Sequence, residues 1–277
     1  MDLFYLFDPA NWEWLFAGNN SSFILKAFLV NLEIAAICMV LSLIFGLFLA
    51  LGRISKKPWL SGPVGLWIDV WRNLPLIFIL LFLFLWMPEG IKAGYEDNAP
   101  GFLPDALSTK FTVAAIVGLT VYNSAVIAEI MRAGIQSLEK GQGEAAAALG
   151  LPYGKALRLV ILPQGLRRMV PATVSQLITL NKDTTLVFII NIQEVVRSAR
   201  TVIATSDSPF VGLGVPAPYL QVFVFVGALF VLTNFTLSRI SRRLEIKQRE
   251  RTGVALEAVT GLEDQVALDT DVAARTR

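Results

Sequence analysis

The apolar positions of this chain run together instead of recurring at the spacing of an amphipathic helix or a half-buried strand. Residues 74–88, LPLIFILLFLFLWMP, form a run too long and too unpunctuated for the core of a water-soluble domain. Such runs suit a hydrocarbon layer about 30 Å thick, which asks for about 20 residues per helix. Five spans are predicted, at about 23–51, 65–87, 111–131, 170–191 and 219–237. The first is broken only by Lys26, Asn31, Glu33 and Ser42 among its more polar residues, and the fifth is clean. The fourth is the most polar, because Thr179, Asn181, Lys182, Asp183 and Thr184 lie inside it.

The charges between the spans then set a direction. Arg53, Lys56 and Lys57 follow span one. Arg132, Lys140, Lys155, Arg158, Arg167 and Arg168 lie between spans three and four, and Arg239, Arg242, Arg243, Lys247, Arg249 and Arg251 follow span five. The alternate loops are acidic or mixed: Lys92 and Lys110 stand against Glu89, Glu96, Asp97 and Asp105, and Arg197 and Arg200 against Glu194 and Asp207. Basic loops stay in the cytoplasm, so the expected topology has the N-terminus out and the C-terminus in. Residues 1–21 read as an extracytoplasmic N-terminal segment, 22–250 as one transmembrane domain, and 251–277 as a disordered cytoplasmic tail of small and charged residues. Asp2, Asp8 and Glu13, with no basic residue beside them, do not read as a cleaved signal peptide. Pro and Gly punctuation at 98–101 and 215–218 predicts locally ordered external loops.

Composition agrees with a membrane and removes several chemistries. Of 277 residues, 55% are apolar and 17% charged, with a mean hydropathy of +0.60, whereas soluble domains carry about 25% charged residues. The chain has no histidine and one cysteine, Cys38. Histidine triads, histidine-ligated zinc and a disulfide framework are therefore excluded, and no metal site or catalytic residue is expected. A net charge of +2 offers nothing for nucleic acid. No internal repeat is visible, which counts against a secondary transporter built from paired halves.

The most informative segment lies between spans three and four, residues 144–163, EAAAALGLPYGKALRLVILP. Its alanines form a helix face with almost no bulk. Gly150 permits a left-handed helix ending, Pro152 suits the first turn of a following helix, and Leu157, Val160 and Ile161 recur at helical spacing beside Lys155 and Arg158. The expected structure is a pair of short helices at a sharp angle, the second stopping near Pro163, as a rigid docking knob. This segment resembles the EAA signature of ABC importer permeases through Glu144, Ala145, Ala146, Gly150, Leu162 and Pro163, with Val160 in place of the usual Ile. Residues 69–76 (DVWRNLPL), 124–130 (SAVIAEI), 134–137 (GIQS) and 180–184 (LNKDT) look like the polar amino-acid branch of that family.

The resemblance covers about residues 22–250. It implies an all-α integral membrane protein with the ABC type I importer permease fold and cytoplasmic EAA coupling helices. It also implies a second permease subunit (homo- or heterodimer), two ABC ATPase subunits and an extracytoplasmic amino-acid-binding protein, in a bacterial cytoplasmic (inner) membrane. The chain has no G-x-x-x-x-G-K-[ST] loop; Gly154-Lys155-Ala156 fails both the spacing and the hydroxyl. ATP and Mg are thus expected on the partner ATPase, with no cofactor in this chain.

Ionisable groups inside apolar spans are the second signal, since each unpaired charge at membrane depth costs about 2.5–3.5 kcal/mol on insertion scales. Lys182 and Asp183, with Asn181 and Thr184, are expected to line the substrate path, and Glu33 in span one is a further candidate. Glu129 with Arg132, and Asp69 with Arg72, stand at i, i+3 and are read as structural or gating pairs.

Overall fold

A computed structural model describes residues 6–16, 19–138, 140–206 and 219–252. The described residues are helical throughout, with no strand among them. In chain order the helices are α1 (Glu13–Phe16), α2 (Asn20–Arg53), α3 (Pro58–Asn73), α4 (Leu76–Trp86), α5 (Glu89–Asp97) and α6 (Thr112–Gln136). There follow α7 (Lys140–Ala148), α8 (Tyr153–Ala156), α9 (Leu162–Asp183), α10 (Val195–Ser206) and α11 (Tyr219–Thr252). Three of these, α2, α6 and α11, are long and apolar enough to cross a membrane alone.

The pair α2 and α6 makes the centre. Ala35, Cys38, Met39 and Ala50 of α2 pack against Ala115, Leu119, Ile127 and Ala128 of α6. Gly46 closes the seam, because a Cβ there would lie 2.7 Å from Ile127. With so many small residues on one stripe, the two backbones come close, which is how helices associate where the hydrophobic effect is absent. A second cluster, Trp14, Phe28, Val195, Ala199 and Val222, joins α1, α10 and the start of α11 to the outer part of α2.

The second predicted span is not one helix. α3 and α4 meet at 101°, because Pro75 has no N–H and forces Leu74 into an extended conformation (ψ 134°). α4 then runs along α6, with Leu80 seated in the notch left by Gly118 and Phe84 against Phe111. α3 instead lies across the basic ends of α2 and α6. Val64 abuts Gly52, the Arg53 guanidinium lies where a Gly65 Cβ would stand, Arg53 meets Asp69 at 3.6 Å, and Arg72 meets Glu129 at 3.9 Å.

The fourth span also differs from expectation. The helix does not stop near Pro163. It runs from Tyr153 through a wide π turn at Leu157–Ile161 and on to Asp183, then tightens into a 3₁₀ turn at Thr184–Ile190. The π turn loosens the i→i−4 ladder just before Pro163, so the ring is accommodated without a break. The fifth span, α11, continues to Thr252, well beyond its predicted end. Arg197 and Arg200, expected in a loop, lie on α10. The expected order at 98–101 is met by a turn that ends α5. The loop at 215–218 and the tail at 253–277 lie outside the described residues.

Candidate functional site

Residues 144–163 form two helical pieces joined at an exposed turn. α7 ends in a turn at Gly150, whose φ of +74° only glycine adopts without strain. Leu151 N–H donates to Ala146 O, so the helix end is closed before the chain turns. Pro152 stands one position before α8, as its extended cap (ψ 151°), and not in its first turn.

The two alanines of the signature do different things. Ala145 is exposed, beside Glu144, whereas Ala146 is 3% exposed and turned into the chain. Its small size lets α7 lie on the π turn, which Gly143 one turn earlier also approaches: a Cβ built there would lie 4.0 Å from Ile161 Cδ1. The outward surface is therefore Glu144, Ala145, Ala147, Ala148, Gly150 and Leu149, the last 82% exposed. Leu149 and the exposed Leu159 and Tyr153 add apolar area that the signature alone does not mark. Leu162 is half-buried and Pro163 exposed, both inside the continuous helix.

The knob is firmly rooted. Gly134 of α6 and Gly165 of α9 touch so closely that a Cβ on the first would lie 2.8 Å from Gly165 O. Arg168 Nη1 donates to Ser137 O at 2.6 Å, and Gln164 Nε2 to Gln142 Oε1 at 3.2 Å.

At the other end of α9 the polar strip divides. Lys182 is exposed and Asp183 half-buried, and neither forms an ion pair among the described residues. Asn181 and Thr184 turn the opposite way and are buried. Asn181 Nδ2 donates to Asn234 Oδ1 of α11 at 3.1 Å, and Thr184 Oγ1 accepts from Asn31 Nδ2 at 3.0 Å.

Asn31 is a hub that sequence reading missed. It also donates to Glu194 Oε2 at 3.1 Å and accepts Val195 N–H at 3.0 Å. Glu194, fully buried, caps α10 by accepting from Val196 N and Arg197 N at 3.0 and 2.8 Å. An acidic residue just before a helix is the expected capping signature, but Glu194 had been counted only as loop charge. Glu33, two residues from Asn31, is half-buried with Oε2 buried and without a hydrogen-bond partner, and no bond or ion pair joins it to Lys182 or Asp183.

The i, i+3 pairs fare unequally. Arg132 binds Glu129 through Nε and Nη2 at 2.9 and 2.7 Å. Asp69 and Arg72 do not pair with each other but with Arg53 and Glu129 respectively, tying α3 to α2 and α6. On the opposite side of the molecule, the Lys92 ammonium at 2.9 Å holds the Glu89 carboxyl below the usual carboxylate range, with Lys110 adding to it.

A bundle of helices long and apolar enough to cross a membrane, with a small-residue turn exposed at one end, has the build of a membrane protein. Comparison with known proteins agrees. Residues 42–247 match the family described as "Binding-protein-dependent transport system inner membrane component", and the chain belongs to it. It is 36% identical to a probable glutamine ABC transporter permease of Bacillus subtilis, covering 84% of this chain and 97% of that one. It is 31% identical to an arginine transport system permease of the same organism, covering 81% and 92%. A glutamate/aspartate import permease of Escherichia coli is 31% identical over 69% of this chain and 82% of its own. Among solved structures, an amino acid ABC transporter shares the fold with a TM-score of 0.65 at 24% identity, covering 82% of this chain and 94% of that one.

Proposed function

We propose that this chain is the permease subunit of an ATP-driven importer of polar amino acids, with glutamine, glutamate or a basic amino acid as cargo. The observation that carries the reading is the knob: a small-residue and apolar surface, exposed among the described residues, at the root of a helix that ends in Lys182 and Asp183. The relatives named above support the substrate class. In this reading the knob docks on an ABC ATPase that holds ATP and Mg, a second permease completes the pathway, and an extracytoplasmic binding protein delivers the solute. The setting is a bacterial cytoplasmic membrane with the N-terminus outside.

A zwitterionic solute in a low-dielectric path needs a partner for each charge. Lys182 meets the α-carboxylate and Asp183 the α-ammonium, since neither forms an ion pair among the described residues and an unpaired charge facing lipid is costly. Asn181 and Thr184, buried and bonded to α11 and α2, hold the strip in place and do not line the path.

The test is to purify the chain with the products of its neighbouring genes, reconstitute the assembly in vesicles and measure ATP hydrolysis. Stimulation by glutamine, glutamate or arginine is expected, and silence toward all polar amino acids overturns the reading. Topology is checked separately with Cys38 replaced. A cysteine at Glu96 labels with an impermeant thiol reagent in intact cells and one at Lys140 does not; the reverse pattern inverts the topology.

A further inference from the structure

A cavity of about 410 Å³ lies between α2 and α6, walled by Leu41, Phe45, Phe48, Val117 and Val121 and floored by Trp67 of α3. Its lining is almost wholly apolar, and it sits between two membrane spans beside the seam closed by Gly46. Phe48 is 67% exposed in the chain, so the cavity opens sideways to whatever surrounds the spans.

The basic end of the same groove is not apolar. α2 ends at Arg53, four residues past Leu49, and the turn into α3 carries Lys56 and Lys57. Both lysines are exposed, and neither has a carboxylate within ion-pair distance among the described residues. Their ammonium groups stand over the rings of Tyr153 (4.5 Å) and Trp59 (5.8 Å), which leaves donors free. Trp59, 71% exposed, and Trp67 mark the depth at which amphipathic rings settle between hydrocarbon and headgroups. α3 begins directly after Lys57, carries Trp59 in its first turn, packs Val64 on Gly52 at the end of α2 and puts Trp67 into the cavity. These rings and lysines therefore sit on, or just before, the element that closes the basic end of the groove.

We infer that this groove is a site for an anionic phospholipid of the leaflet on the basic side, one acyl chain lying between α2 and α6 and the headgroup phosphate resting on Lys56 and Lys57. Basic pockets between spans recognise acidic headgroups by charge, and each lysine contributes about fivefold in affinity. A second copy of this chain is a poor occupant. Two copies meeting here about an axis along the membrane normal would set the same basic turns against each other at one depth. The inference is independent of what the protein transports.

The experiment uses the full chain, copurified with its ATPase, in detergent with phosphatidylglycerol or phosphatidylcholine of identical acyl chains, read by native mass spectrometry. The unaltered protein retains phosphatidylglycerol in preference. Lys56→Gln with Lys57→Gln cuts that preference by about 25-fold while leaving the complex intact. Val121→Trp, which fills the groove, loses the bound lipid, whereas Val121→Ala keeps it and shows that the position itself tolerates change. An unaltered preference in the double Gln variant, or full retention in Val121→Trp, overturns the inference. So does a disulfide-linked pair formed by Phe48→Cys in a chain whose Cys38 has been replaced, since that assigns the groove to a second copy.

Discussion

Where α2, α9 and α10 meet, Asn31, Thr184 and Glu194 turn inward and bond to one another across 153 and 163 residues of sequence. At the α7–α8 turn, Leu149 is exposed and a Cβ built on Gly150 would meet nothing within 4 Å among the described residues. Both regions are polar or small-residue islands in an apolar protein, yet one is complete and the other is waiting. A buried donor or acceptor left alone costs about 1–3 kcal/mol, so the first region had to find its partners within this chain. The knob bears no such penalty in water, and its bare surface is legible as a surface kept for a different polypeptide.

The sharpest way to break this contrast is to fill the bare surface. Ala145→Trp should abolish transport and copurification of the ATPase while thermal unfolding of the permease in detergent shifts by no more than about 1–2 °C. Gly150→Leu should do the same with an added drop of a few degrees, because the φ of +74° there strains any other residue. Ala146→Trp should instead lower the unfolding temperature, because that side chain points inward. Equal behaviour of the two tryptophan variants would erase the distinction between the alanines.

The complete region should fail differently. Asn31→Leu leaves Val195 N–H without its acceptor and removes a donor from the buried Glu194 carboxylate. The expected cost is about 2–4 kcal/mol, seen as a lower unfolding temperature. A variant that melts like the parent would show that the network adds no stability.

Smaller effects are expected from the exposed charges beside that network. Lys182→Met and Asp183→Asn should preserve assembly with the ATPase but reduce uptake and change the ranking of competing amino acids. Should assembly fail in each single variant and return in the double, the two residues form a structural pair instead. The smallest change is expected at Glu144, where a rim charge is worth at most about 1 kcal/mol. Glu144→Ala should weaken ATPase copurification slightly at low salt and not at raised salt, where the charge is screened in the parent too, and complete loss at either salt would make it central to docking.

Much of this was readable before any coordinates. α2, α6 and α11 follow from long apolar runs, and the left-handed Gly150 from its place after a run of alanines. The bend at Pro75 carried a signal too, in the restriction that proline imposes on Leu74, but hydropathy averages over residues and is blind to backbone direction. Pro163 misled in the opposite sense, because a π turn absorbs a proline that would otherwise end a helix. The roles of Ala145 and Ala146 were not separable, since identical side chains differ only in what lies against them. Asn31 looked like a blemish in span one because its partners lie in the fourth span and beyond.

The uninterrupted helical path from Tyr153 to Asp183 has a mechanical consequence. At 1.5 Å per residue it is a beam of about 46 Å, pinned about two fifths of the way along where Gly165 meets Gly134, and braced further along where Ser241 of α11 donates to Pro171 O. A beam on such a pivot has unequal arms, about 18 Å on the knob side and about 27 Å on the Lys182 side. A tilt of about 10° imposed at the knob would swing the Lys182 end by about 5 Å, close to one helical turn. Mechanical advantage, set by where two glycines happen to touch, would then turn a small stroke at one membrane face into a larger one at the far end.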